Sequence, residues 1–274
     1  MALNREDYEE PVCLLQPPRQ SGTAHNCSGQ PIPLAEVIAR CDELFNANDP
    51  AALGEHLRFW RQKAQAWGDK SGELSILSEM MGHYRMTGNE TLALQAIKDG
   101  LQLLRELNIA NSVSCGTILI NAATALQAFG YFKEALTHYA EAFRCYNSHL
   151  DPNDWRFAGL LNNMAAAHAA NGDFQHAQAF YRQALEVLTA CGNLMDKAVT
   201  FVNLAQLYDQ QDSSDERINQ MLDQAMQCFQ DPAAAHDGYF AHTCSKCASA
   251  FGLFGRLEDE RLLKKYAGDF YAGA

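Results

Sequence analysis

The sequence predicts an all-α, right-handed solenoid of about six helix pairs, and three observations lead there. The stretch LLNNMAAAHAANGDFQHAQAFYRQALEVL, from Leu160 to Leu188, reads as one complete helix-turn-helix unit. Its turn residue recurs as Gly88, Gly130, Gly172, Ser213 and Gly255, at intervals of 42, 42, 41 and 42 residues. A small residue about twelve positions after each turn keeps the same step, as Gly100, Ala142, Ala184, Ala225 and Ala267. One amphipathic pair is common, whereas two columns sharing one long period mark a repeat array.

The best unit explains itself locally. Met164, Ala165 and His168 share one face of a first helix, and Gly172 supplies the positive φ at which a helix stops. Asp173 and Phe174 open a second helix, on which Ala177, Phe180, Tyr181 and Ala184 form an i, i+3, i+4, i+7 stripe. Small residues let the helix axes approach, and the aromatic rings fill the space between them.

Taken in order, residues 1–32 differ in kind from the rest of the chain. They carry Pro11, Pro17, Pro18 and Pro31 with Ser21, Gly22 and Gly29 and show no helical period, so an extended or mobile segment is expected. Its apolar patch, Pro11-Val12-Cys13-Leu14-Leu15, suggests a segment able to lie along the solenoid as an internal ligand. Residues 33–272 form the repeat region. Val37, Ile38, Cys41 and Leu44 should face inward, and a turn near Asn48 precedes a helix begun by Asp49-Pro50. Trp60 and Trp67 supply bulk where a terminal repeat must close an open apolar face. The Asp-Pro start recurs at Asp151-Pro152 and Asp231-Pro232. The column five residues after the turn is Ala93, Ala135 and Ala177, then Ile218 and Glu260, so the last two units are degraded copies.

The run Gly-Asp-Phe-x-x-Ala-x-x-x-Tyr-x-x-Ala-Leu, from Gly172 to Leu185, resembles the tetratricopeptide repeat (TPR) consensus, and the resemblance extends over about residues 33 to 272. A common TPR unit is roughly 34 residues. The longer step here is similar to that of kinesin light chains and of bacterial cytosolic TPR proteins. The chain departs from the usual pattern in lacking the early Trp of the first helix and the Pro that ends a common repeat. The resemblance implies a protein or peptide-binding scaffold, with first helices lining the concave side.

On those first helices one column reads Glu79, Asn121, Asn163, Asn203 and Lys246. The fourth member is aligned on Ala205, which puts that helix one residue out of step with its Ser213 turn. Asn costs several tenths of a kcal/mol relative to Ala inside a helix, so three of them in one column need an offsetting role. An amide both donates and accepts, and can bond an extended peptide backbone whatever its side chains. In the resembled family, Asn at this column binds the ligand main chain. Asn162, Arg85, Gln127, Gln206 and Asp209 complete the expected peptide-binding set. The competing expectation is that the amides bond to adjacent helices within the solenoid.

Nine cysteines and nine histidines invite a metal reading, but only His242-Thr-Cys244-Ser-Lys-Cys247 has ligand-like spacing. A strong zinc pattern needs a second pair nearby, so buried thiols are expected and no cofactor. His83, His138, His168 and His176 fall on different predicted helices and read as separate structural residues. The chain carries no Gly-rich phosphate loop, His-Glu-x-x-His pair or Gly-x-Ser-x-Gly turn, so no catalysis is expected. A net charge of −12 argues against nucleic acid and anionic membranes as partners. The charged start and the absence of an eighteen-residue apolar run suggest a cytoplasmic protein. The alternative to peptide binding is a homo-oligomer paired through Tyr239, Phe240, Phe251 and Phe254.

Overall fold

The computed structural model describes residues 30–273; the N-terminal segment and its Pro11–Leu15 patch lie outside that range. Among the described residues there are twelve helices and no strand. They form six hairpins: α1 (Leu34–Asn46) with α2 (Pro50–Trp67), α3 (Lys70–Met86) with α4 (Glu90–Glu106), and α5 (Val113–Ala128) with α6 (Phe132–Asn147). Then come α7 (Trp155–Ala170) with α8 (Phe174–Cys191), α9 (Leu194–Gln210) with α10 (Asp215–Phe229), and α11 (Gly238–Leu253) with α12 (Leu257–Gly273). The fold is an all-α repeat solenoid. It comprises two compact units, one up to Leu150 and one from Asp151 onward.

The turns obey one rule. Each hairpin turn contains a left-handed residue, namely Asn48, Gly88, Gly130, Gly172, Asp212 and Gly255. In the fourth of the five clear units that residue is Asp212 at φ 50°, one before the Ser213 expected from sequence. The correction removes the slip in the column on the first helices. Glu79, Asn121, Asn163, Asn203 and Lys246 each stand nine residues before their left-handed residue. The irregularity lies after the turn, where α10 begins at Asp215, three residues on, while the other second helices begin two residues on.

Helix starts are fixed by side chains that accept a hydrogen bond from the first turn. Asp49, Asp69, Asn89, Ser112, Asp154, Asp173, Asn193 and Asp237 all do this. Asp49-Pro50 starts α2 as expected, but the other two Asp-Pro pairs do not start helices. Asp151 and Asp231 instead accept from the backbone N–H two residues on, at 2.9 and 2.8 Å, forming local Asx turns. The helices then wait for the next carboxylate, Asp154 for α7 and Asp237 for α11.

Each unit has its own core. In the first, Leu57, Ile76, Leu77, Met81, Tyr139 and Tyr146 are under 2 % exposed; in the second, Leu160, Leu188, Leu207, Phe229, Phe240 and Phe251 are. Each such side chain contributes about 1.5–3 kcal/mol of transfer free energy. The small-residue columns are the contact lines: Ala93, Ala135, Ala142, Ala177, Ala184 and Ala225 are wholly buried. Where that column turns to Glu260, the facing residue is Gly252. A Cβ there would lie 2.6 Å from the Glu260 carboxylate, so the missing side chain makes room for the larger one.

Candidate functional site

The two helices of a pair bury different amounts of surface, and this decides where a ligand can be met. Second helices bury one stripe, as in Ala177, Tyr181, Ala184 and Leu188 of α8, and leave the rest to water. First helices pack against their own second helix and against neighbouring first helices: α3 on α5 in the first unit, and α7 on α9 and α9 on α11 in the second. Their buried positions are therefore nearly continuous, and what reaches solvent is one narrow strip. On α7 that strip runs through Gly159, Asn163, Ala166 and Ala170, with Asn162 and Ala169 half-buried along its edge; on α9 it runs through Val199, Asn203, Gln206 and Gln210, with Asp209 exposed along its edge. Both follow i, i+4, i+7, i+11, a single helical face.

In the first unit the expected site residues are largely occupied by the fold. Asn121 Nδ2 donates to Ser78 Oγ at 2.7 Å, tying α5 to α3. Tyr139 Oη lies 3.0 Å from Gln127 Oε1 and 3.1 Å from Thr124 Oγ1, while Thr117 Oγ1 meets Tyr146 Oη at 3.1 Å. The polar strip of α5 is thus turned onto α6 and α3. Arg85, expected to select among ligands, is buried at 6 % exposure, whereas Asp209 in the same column is exposed; Gly252, also in that column, packs on Glu260. Glu79 is half-buried on α3.

The second unit differs. Asn162 Nδ2 donates to Thr200 Oγ1 at 2.9 Å and fastens α7 to α9. Asn162 occupies the position that Ser78 holds in its repeat, and with its amide turned to Thr200 it leaves Asn203 without the partner Asn121 has. Asn163 and Asn203 are half-buried, and their side chains make no hydrogen bond to any described residue. Gln206 and Asp209 are exposed beside them, and Lys246 is half-buried on α11. These residues share one unit, and the strips of α7 and α9 are adjacent.

The Cys-rich stretch of α11 is core. Cys244 and Cys247 are 0 % and 2 % exposed. Burial, with Cys247 beside it, pushes the Cys244 thiol up to about 12, away from the thiolate a metal needs. Burial and the nearby Lys246 push His242 down to about 4. The proposed pairing surface is likewise internal, since Phe240 and Phe251 are 1 % and 0 % exposed in the core between α9, α11 and α12. Tyr239 is partly exposed, but its hydroxyl bonds Asp196. The apolar side chains that do reach water nearby are Leu253 and Leu257.

One grouping was hidden in the sequence. His168, at the end of α7, and His176, in the first turn of α8, converge on Asp173. Reading each histidine helix by helix separated residues that the Gly172 turn folds together; the spacing His-x4-Asp-x2-His about a turn glycine was the available signal. Among the described residues, no helix is long and apolar enough to cross a membrane.

Models of the tetratricopeptide repeat match residues 116–155 and 156–231. No curated protein sequence matches the chain. Among solved structures, the fold is similar to nearly identical TPR-like repeats from Podosopora anserina assigned to kinesin light chain, at 16 % identity and TM-score 0.54, covering 73 % of this chain and 95 % of that one. It is similar to BtubC (BKLC) from P. vanneervenii at 15 % identity and TM-score 0.54, covering 89 % and 92 %. It is also similar to NprR in complex with its cognate peptide NprX, at 14 % identity and TM-score 0.55, covering 86 % and 66 %. The hairpins between residues 116 and 231 are tetratricopeptide repeats.

Proposed function

We propose that this protein is a non-enzymatic scaffold that binds an extended peptide or protein segment along the strips of α7 and α9. The observation carrying this reading is that Asn163 and Asn203 bring half-buried amides to adjacent first helices without a hydrogen bond to any described residue. A side-chain amide with an unspent donor and acceptor suits a peptide main chain, which offers the same pair in return. Gly159, Ala166 and Ala170 on α7 leave room for that chain to come close, and Gln206 and Asp209 flank it. The likeness to NprR, which was solved with a peptide bound, supports the same direction. A partner with neutral or basic character suits the charge of −12.

The test compares capture of partners from the source cell by wild type, the Asn163→Ala/Asn203→Ala double variant and Asn121→Ala. Each unspent amide should contribute about 1 kcal/mol to binding, so the double variant should bind a captured peptide at least tenfold more weakly at unchanged melting temperature. Asn121→Ala should keep its partners and lose about 1 kcal/mol of stability instead, because Ser78 loses its donor. Equal capture by all three proteins would refute the assignment. A second reading, self-association, is favoured by the exposed Leu253 and Leu257, at 75 % and 52 %. Light scattering of the pure protein against Leu253→Ser/Leu257→Ser decides it, since only self-association appears without a ligand.

A further inference from the structure

We infer that His168, Asp173 and His176 form a binding site for a borderline divalent transition ion, zinc above all, at the tip of the α7–α8 hairpin. His168 Nδ1 lies 3.1 Å from Asp173 Oδ2, and His176 Nδ1 lies 2.8 Å from the same oxygen and 2.9 Å from Oδ1. One ligand atom from each residue falls within 4.8 Å of the other two. Around tetrahedral zinc with bonds of about 2.0–2.1 Å, neighbouring ligand atoms are about 3.3 Å apart. The two histidine-to-aspartate distances therefore already stand near the edge lengths of a coordination polyhedron, and the third edge is within 4.8 Å. Each imidazole has to turn its Nδ1 lone pair from the carboxylate toward the ion. Two nitrogens and one oxygen favour zinc, cobalt, nickel or copper over magnesium or calcium, which take all-oxygen shells.

The repeat itself supplies a control for chance. His168 stands four residues before its left-handed residue, where the other clear units carry Tyr84, Leu126, Tyr208 and Phe251, all buried core side chains. Only in this hairpin is that core position given to an imidazole, and only here do a carboxylate and a second imidazole stand one and four residues after the turn. His168 is held in place by packing: its ring lies 5.3 Å from Phe180 on one side and 5.3 Å from the His176 ring. Asp173 is fixed by its second duty, accepting the His176 N–H as the cap of α8. Side-chain exposure rises from 17 % at His168 through 34 % at Asp173 to 64 % at His176, so the ion enters from solvent and keeps water in its remaining position. Binding requires both Nδ1 atoms unprotonated, and protons they carry are released to solvent or moved to Nε2.

The experiment is titration of the full-length protein, stripped with chelator and dialysed, with zinc chloride in a calorimeter and with cobalt chloride in a spectrophotometer. Wild type should take up one equivalent that His176→Ala and Asp173→Asn each weaken at least tenfold, and saturating zinc should raise the melting temperature of wild type but of neither variant. Asp173→Asn keeps a capping oxygen on α8, so loss of the ion there is not loss of the helix. Cobalt bound here shows no sulfur-to-metal charge-transfer band, which separates this site from the cysteines. Unchanged uptake in both variants, or a thiolate band accounting for the whole uptake, overturns the inference.

Discussion

One buried and two half-buried histidines show how burial turns a side chain into a condition on pH. Burial lowers the pKa of His83, His138 and His242, with Arg58 adding to the effect at His83 and Lys246 at His242. In the unfolded chain each titrates near 6.5, so between there and about 4 the unfolded state binds protons that folded His242 refuses. Stability present above about pH 6.5 is therefore lost as pH falls toward 4. Urea midpoints measured from pH 7 to 4.5 should decline, and His242→Gln should flatten part of the slope; a midpoint that holds or rises on acidification would contradict the assignment. At this scale the sequence was only half legible. The Asn column was visible, but Asn121 is answered by Ser78, 43 residues away, and nothing in spacing alone says which amide a neighbour will consume. Asn163 and Asn121 look alike in sequence; their surroundings part them.

Among the elements, the second hairpin of the Asp151–Ala274 unit is the irregular one. Its turn residue Asp212 adopts φ 50°, where a side chain crowds the backbone, and α10 starts from Ser214 without a side-chain capping bond. Asp212→Gly should stabilise the protein by about 0.5–1 kcal/mol, read as a higher urea midpoint with unchanged slope. A lower midpoint would mean that the Asp212 side chain has a duty in the turn. Glycine advertised four of the other turns in sequence, at Gly88, Gly130, Gly172 and Gly255, which is why their register could be read. Here the left-handed residue is an aspartate next to two serines, and composition does not rank the three. The Asp-Pro pairs misled for a related reason. Aspartate caps a helix and closes an Asx turn with the same carboxylate, and only the residues beyond, up to Asp154 and Asp237, decide which.

For the molecule as a whole, the architecture was legible because a forty-two-residue step repeats in several columns at once, and each hairpin needs its neighbour to cover its apolar face. The division into two compact units was not legible, since the turn and small-residue columns run on through the boundary at Leu150. The second unit has a continuous core of its own, from Ala165 to Ala267. Residues 151–274 expressed alone should give helical circular dichroism and a single cooperative melt; a non-cooperative melt would show that this core depends on the first unit. The Gly252–Glu260 contact carries a lesson for anyone wishing to lengthen such arrays. Grafting α12 behind another first helix would drive a carboxylate into a filled seat, and restoring alanine at 260 alone would leave a void behind it. The closing hairpin travels only as a matched couple, so its two odd residues act as a key that fits one lock in this chain.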